Sequence, residues 1–557
     1  MVKKVFKFVY QEVRGLHQAA YIIALFAIGS QVLAVVRDRL LAHTFGAGAD
    51  LDLYYAAFRI PDLLFVLFAS VLSIYVLLPF VNKKTEAESA NAGSGVLSQV
   101  FSVFLVIYSL VGLLLALTAK WYAPIVFPGF VTEIDTLILL LQILLLQPFL
   151  LGLSSLCGVV TQMNHRFVLY AISPLLYNFG IIIGIILFYP AMGLSGLAIG
   201  VVLGAVGHLL VQLPFVVNSK YSFKVVKNID YNLLRQIFSV SIPRALTLSV
   251  NQIVLLILIG MASVMAAGSV SVFQFAFNLQ SVPLAIIGMS YSVAAFPTLS
   301  SLYAKKDQIG FNLQLLTALR HIIFWSLPVI GLVIVLRAQI VRVLLGSGAF
   351  DWSDTRLTAA VLAIFVVSLF AQAILLLLIR AFYAGGRTAL PLFTALGGAI
   401  VSVLGAFGLH GIYVNNQGFQ LFLNDIFRIS EVTGSEVLVL AIAFVIGQFV
   451  QLTCLLFLSR KAFRVSYRSL LKLFSQATLA AIAGGLVAYM TLAFVVDGIN
   501  QATFIGITLQ GLSAGIMGLI AVVLVYAASG SSELKEIYRS FHTKIFKTDV
   551  VAIQDQV

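Results

Sequence analysis

Residues 30–64, SQVLAVVRDRLLAHTFGAGADLDLYYAAFRIPDLL, gather ionisable groups inside an otherwise apolar stretch: Arg37, Asp38 and Arg39 within one turn, then Arg59 and Asp62 on either side of Pro61. A charge at mid-bilayer costs about 2.5–3.5 kcal/mol on insertion scales and is seldom left facing lipid, so these groups need partners or a polar cavity. A planar guanidinium suits a diphosphate, because its N–H donors match the spacing of phosphate oxygens. Arg37 is therefore the candidate for a cationic pocket, while Arg39 is placed at the outer interface by snorkelling. Adjacent helix positions point about 100° apart, so Arg37 and Asp38 are expected to face different ways, one toward a cleft and the other toward a neighbouring helix. In FGAGADLD the glycines make a tight turn, and Asp52 is read first as the N-terminal cap of the helix that follows, a role compatible with gating.

The elements that position these residues follow from composition. Of 557 residues 61% are hydrophobic and 10% charged, with a mean hydropathy of +1.06, values that exclude an ordinary soluble domain. Since a helical crossing takes roughly 20 apolar residues, the sequence predicts fourteen spans, at about 17–43, 53–80, 97–119, 133–161, 169–189, 193–217, 236–262, 270–300, 316–337, 356–382, 388–409, 435–459, 470–495 and 503–529. The basic start, Lys3, Lys4, Lys7 and Arg14, leads into a span with no small-residue cleavage site, so the first span is expected to be retained. The net charge of +13 reads as membrane orientation rather than affinity for nucleic acid. Of 34 Lys and Arg, five (Lys120, Arg337, Arg342, Arg356, Arg428) fall in outer segments, three (Arg37, Arg39, Arg59) in early spans, and the rest on the side of the termini. That asymmetry predicts both termini in the cytoplasm. The two cysteines, Cys157 and Cys454, lie in apolar runs and read as small core residues. No His-Glu metal spacing or phosphate-cradling glycine loop occurs, so neither an enzyme nor a metal or cofactor is expected.

Two weak internal echoes suggest a duplicated architecture. Ala57, Phe58 and Pro61 in the second span correspond to Ala276, Phe277 and Pro283 in the eighth, and the basic turn before Pro174 corresponds to the one before Pro391. The expectation is an all-α polytopic membrane protein with six-helix lobes at 1–217 and 241–459, an added helix pair at 460–530 and a cytoplasmic tail at 531–557. Lobes with even numbers of spans share one membrane orientation. The linker 218–240 alternates Phe223, Val226, Ile229 and Leu233 with Lys224, Lys227 and Arg235, which predicts an interfacial amphipathic helix; residues 460–474 and the tail 533–547 read the same way. Gly193, Gly196, Gly200 and Gly204 predict close helix packing in the sixth span. Asn251, Gln252, Gln274 and Asn278 either line a cleft or bond across helices, and His208 reads as a hydrogen-bonded packing residue.

Taken together, VVRDRLLAHTFGAGADLDLYYAAFRIPDLL, IPRALTLSVNQI, AAGSVSVFQFAFNLQSVP and RAFYAGGRTALP resemble the MurJ/MviN lipid II flippases of the multidrug/oligosaccharidyl-lipid/polysaccharide exporter superfamily. The resemblance covers nearly the whole chain, and the fourteen-span count agrees with it. It implies a bacterial inner-membrane flippase that moves an undecaprenyl-pyrophosphate-linked disaccharide-peptide outward by alternating access. Lipid II, membrane lipids and cell-wall synthesis machinery would be its partners. Arg37 and Asp38 match family cavity residues, and Asp52 matches a required acid. The sequence departs from the family at Gln31, beside Ser30, and at Phe65, Asn278 and Ser281, where relatives carry several phosphate-binding cations and an acid. Asn278 keeps a substrate-facing position by this alignment, and Arg59 and Arg244 are the candidate replacements. Arg387 near Pro391 stands where relatives often have an acid. These departures leave two alternatives: an exporter of another polyprenyl-linked glycan, or a non-transporting scaffold with a degenerate site.

Overall fold

A computed structural model describes residues 12, 16–87, 90–221, 223–495 and 503–545. The basic residues Lys3, Lys4, Lys7 and Arg14 and the tail from 546 onward lie outside the described residues. The architecture is all-α, with no strand among the described residues. The first expected span is the 30-residue helix α1, Leu16–Phe45. Apart from α1, thirteen helices among the described residues are long and apolar enough to cross a membrane, and each overlaps one of the remaining expected spans. In chain order they are α2 (Ala49–Glu86), α3 (Gly93–Val126), α4 (Ile134–Met163), α5 (Phe167–Met192), α6 (Leu194–Val217), α7 (Tyr231–Ser263), α8 (Ser269–Ala304), α9 (Gln308–Leu344), α10 (Trp352–Ala384), α11 (Ala389–Asn415), α13 (Val437–Phe463), α14 (Tyr467–Phe494) and α15 (Phe504–Ala528). A short helix α12, Gln417–Phe427, follows α11, and α16, Ser532–Ile545, forms the described part of the tail.

The chain divides into two compact units: Met1–Phe275 with Leu344–Thr358 and Ala395–Phe444, and Ala276–Val343 with Ala359–Thr394 and Val445–Val557. In the first, α5 and α6 meet through glycines. A Cβ on Gly180 would stand 2.2 Å from Gly204 Cα, and one on Gly200 would stand 2.3 Å from Gly184 Cα. Lipid offers no hydrophobic drive between helices, so close backbone approach supplies the packing energy instead. Gly196 and Gly204 serve this contact as expected, whereas Gly193 has φ +61° with nothing near its missing Cβ and serves the α5–α6 turn. A second core joins α2, α3, α4 and the start of α7, where the Phe68 ring packs against Phe104 and Tyr108, and Phe149 against both. In the other unit Phe324 of α9 stacks on Tyr526 of α15 at 4.2 Å, and the Tyr526 hydroxyl donates to Phe324 O at 2.7 Å.

Three expectations are corrected. The linker is helical only from Tyr231 on: residues 223–230 are irregular, and α7 begins at Tyr231 behind an Asp230 cap whose Oδ1 accepts from Asn232 N and Leu233 N. The reason lies on α3. Ser98 Oγ, Ser102 Oγ and Gln99 Oε1 accept the backbone N–H groups of Lys224, Val226 and Asp230 at 3.1, 2.8 and 2.8 Å, so the extended backbone is satisfied without helix formation. Residues 460–474 do not form one helix either, since α13 ends at Phe463 and Arg464 takes φ 54° before a short 3₁₀ turn, Tyr467–Ser469, opens α14. Cys157 is buried as expected, but Cys454 is exposed; in a helix with a lipid-facing side, an apolar position need not be a core position.

Candidate functional site

The charged residues of α1 and α2 are held by the way these helices break. α2 turns at Phe58 and resumes at Arg59. Pro61 lacks the N–H that would bond Ala57 O and so explains the turn. Arg59 is thereby buried at 5% exposure, with its Nη2 donating to Gln274 Oε1 of α8 at 2.5 Å and its Nε to Tyr55 O at 3.3 Å. Gln274 thus bonds across helices, one of its two sequence readings.

Arg37 departs from its expected geometry. Its side chain folds back along α1, so that Nε and Nη2 donate to Asp38 Oδ1 at 2.9 and 2.7 Å. Backbone directions 100° apart do not separate two side chains when one is as long and flexible as arginine. Nη1 donates to Asn178 Oδ1 of α5 at 3.0 Å, and Asn178 Nδ2 donates to Ser30 Oγ at 3.2 Å. Ser30, Arg37, Asp38 and Asn178 therefore form one network. The Arg37 side chain is 20% exposed and that of Asp38 10%, so the guanidinium is held within the protein yet remains reachable, and among the described residues each Nη keeps an N–H beyond those bonds. Tyr54, Tyr55 and Tyr177 lie within electrostatic reach of Arg37, and Asp62 within reach of both Arg37 and Arg59. Among the described residues the buried Tyr55 hydroxyl finds no hydrogen-bond partner.

Asp52 is not the cap of its own helix, whose N-cap is Gly48 without a side-chain bond. Instead it sits at the N-terminus of α8. Its Oδ2 accepts from Gly268 N at 2.7 Å, and its Oδ1 accepts from Ser271 N at 2.7 Å and Ser271 Oγ at 2.5 Å. The carboxylate thus takes the unsatisfied N–H groups and favourable dipole of a helix 216 residues away in sequence. The same turn is fastened further by Ala349 N donating to His43 O at 2.9 Å and Ala47 N donating to Asp354 Oδ2 at 3.1 Å. Gly46 (φ +61°) and Gly268 (φ +91°) permit these approaches, because a Cβ would fall 2.7 Å from Ala349 O and 2.1 Å from Ala47 O, respectively.

Arg244 is half-buried on α7, next to Pro243. Asn278 is half-buried on α8 in the other unit, where its carbonyl accepts from Ser281 Oγ at 2.6 Å. His208 takes the expected packing role, its Nδ1 lying 2.7 Å from Ser154 Oγ. Asn178, Ser271 and Asp354 were not singled out by sequence. An asparagine within the apolar run PLLYNFGIII was the available signal, since a polar amide at membrane depth needs a partner. No group of three or more potential metal ligands occurs among the described residues.

The sequence profile described as "Lipid II flippase MurJ" matches residues 41–509. The chain belongs to this family. A probable lipid II flippase MurJ of Buchnera aphidicola subsp. Acyrthosiphon pisum is 31% identical over 386 residues, covering 67% of this chain and 74% of the relative. One from Thermotoga maritima is 29% identical over 371 residues, covering 66% and 74%, and the lipid II flippase MurJ of Burkholderia cenocepacia is 26% identical over 407 residues, covering 70% and 77%. Among solved structures, lipid II flippase MurJ in an inward closed conformation superposes with a TM-score of 0.72 at 22% identity, covering 91% of this chain and 99% of that one. An inward-facing MATE multidrug transporter superposes at 0.64 and 14% identity, covering 78% and 94%. The fold is thus shared with the MurJ structure across nearly the full chain, and over a smaller share with the MATE protein. Arg37 and Asp38 precede the matched segment, and Asp52, Arg59, Arg244 and Asn278 fall inside it.

Proposed function

We propose that this MurJ-family chain moves lipid II from the cytoplasmic to the outer leaflet of the bacterial inner membrane by alternating access, both termini lying in the cytoplasm. Family membership supports the substrate. The single observation that carries the binding role is the Arg37 guanidinium, half-buried beside Asp38 and Asn178, with N–H donors on Nη1 and Nη2 that no described residue takes up. An incoming pyrophosphate gains charge-assisted bonds to those donors, while Asp38 and Asn178 keep the cation oriented and neutralised when no substrate is bound. Arg59 supplies positive potential from behind Tyr55. The polyprenyl tail stays in lipid.

Asp52 acts as the latch of the outer turn. Its bonds to Gly268 and Ser271 tie the start of α2 to the start of α8, and opening toward the outer face breaks them. Binding energy counts toward transport only where it differs between states, so a latch made in one state and broken in the other sets that difference.

The test is rescue of cells depleted of their own flippase, read together with translocation of labelled lipid II. Rescue with lipid II translocation is expected. Gln31, Phe65 and Asn278, where the family carries cations, favour one second reading, export of another polyprenyl-linked glycan. Transport of such a glycan without lipid II would select it, and loss of both activities would leave only a scaffold role.

A further inference from the structure

An apolar groove lies on the first unit between α2, α3 and α7, away from the Arg37 network. Its cavity measures about 240 Å³, with Leu72, Phe104 and Ile237 on the floor and Ile107, Ile242 and Leu246 on the rim. The floor residues are buried (Ile237 is 1% exposed), whereas Ile107, Ile242 and Leu246 are 40–47% exposed, so the groove opens sideways. One residue along α3 from the groove's Val100, a second, polar concavity begins, lined by Gly95, Gln99, Val226, Lys227 and Asn228. Its wall is the extended 224–230 segment that Ser98, Gln99 and Ser102 pin to α3. Lys224, Lys227 and Arg235 are exposed on or beside that segment, and the acid among them, Asp230, spends its Oδ1 on capping α7.

A hydrocarbon slot that adjoins a cationic polar cup is complementary to a molecule with an acyl chain and an anionic headgroup. We propose that the α2–α3–α7 groove is a binding site for an anionic bilayer phospholipid, with one acyl chain in the apolar slot and the phosphate at Lys227, Asn228 and Gln99. The exposed rim keeps the slot continuous with the surrounding lipid, so the chain enters laterally without desolvating a polar group. Selectivity comes from the cup, since a lysine near an anionic headgroup contributes attraction that a zwitterionic lipid does not return. The extended form of the linker is what builds the cup, which gives the α3 serines a function beyond folding. The inference concerns a resident lipid and stands whether or not the chain transports lipid II.

The test uses the full chain in nanodiscs, with phosphatidylglycerol or phosphatidylcholine carrying a mid-chain diazirine and labelled residues mapped by mass spectrometry. Phosphatidylglycerol is expected to label Val103, Ile107 and Ile242 in preference to phosphatidylcholine. Lys227→Gln, at an exposed position, is expected to cut that preference about fivefold, the worth of one lysine beside an anionic leaflet. Gly95→Trp, at a site where an added Cβ meets nothing within 4 Å, is expected to reduce phosphatidylglycerol labelling by filling the cup. Equal labelling by both lipids that neither substitution changes would overturn the proposal, as would displacement of the label by added lipid II.

Discussion

Arg37 and Asp52 stand fifteen positions apart in sequence, and both are ionisable groups placed in an apolar chain, yet their charges are spent differently. Asp52 is 3% exposed, and both its oxygens are taken by backbone and hydroxyl donors of α8. Arg37 is only partly enclosed, its partners Asp38 and Asn178 are side chains, and among the described residues donors remain on its Nη atoms. A charge consumed by backbone N–H groups holds structure, and one balanced by movable side chains with capacity left over can exchange partners with a ligand. The contrast separates a latch from a binding group without reference to which residue lies deeper.

The comparison breaks first at Asp52. Asp52→Ala leaves the Gly268 and Ser271 N–H groups buried without acceptors, at about 1–3 kcal/mol each. We expect loss of rescue together with lowered thermal stability of the purified chain, and rescue with unchanged stability would remove the latch. A smaller effect is expected from Asn178→Ala, which removes one orienting partner of Arg37 while keeping the cation. Losing one charge-assisted bond on the order of 1 kcal/mol should weaken lipid II binding roughly fivefold, measured by titration with a fluorescent analogue. Unchanged binding would mean that Asn178 only packs α1 against α5.

The smallest effect concerns a third use of charge, at α16. Burial would raise the Glu533 carboxyl, but backbone bonding, Arg320 at 2.6 Å and the Ser531 hydroxyl outweigh it and hold it below its ordinary value. A depressed carboxylate contributes stability above its unfolded pKa and loses it as pH falls through the folded value. Docking of α16 is therefore steady at neutral pH and weakens only below the ordinary carboxylate range. Amide hydrogen exchange over residues 532–539 as a function of pH checks this, and protection lost near neutrality would contradict it.

Much of the fold was legible because bilayer thickness converts directly into the length of an apolar run, so spans could be counted without knowing their neighbours. The glycine contact of α6 was legible for a related reason, since small residues at helical spacing have few other uses in lipid. Partners distant in sequence were not. Asp52 reads as a local cap because Asp before an apolar run usually is one, and nothing near it announces a helix end more than two hundred residues away. The linker's alternation of apolar and basic residues fits an amphipathic helix, but Ser98, Gln99 and Ser102, over a hundred residues earlier, offered its backbone another set of acceptors. Arg37 was found by its cost in lipid, whereas its turn toward Asp38 depends on side-chain length that residue spacing does not encode.

The central claim is that Arg37 receives the diphosphate. Binding of lipid II to the purified full-length protein should weaken roughly 10- to 100-fold in Arg37→Ala, the range expected for losing charge-assisted hydrogen bonds, with membrane insertion retained. Wild-type affinity in Arg37→Ala would contradict the account.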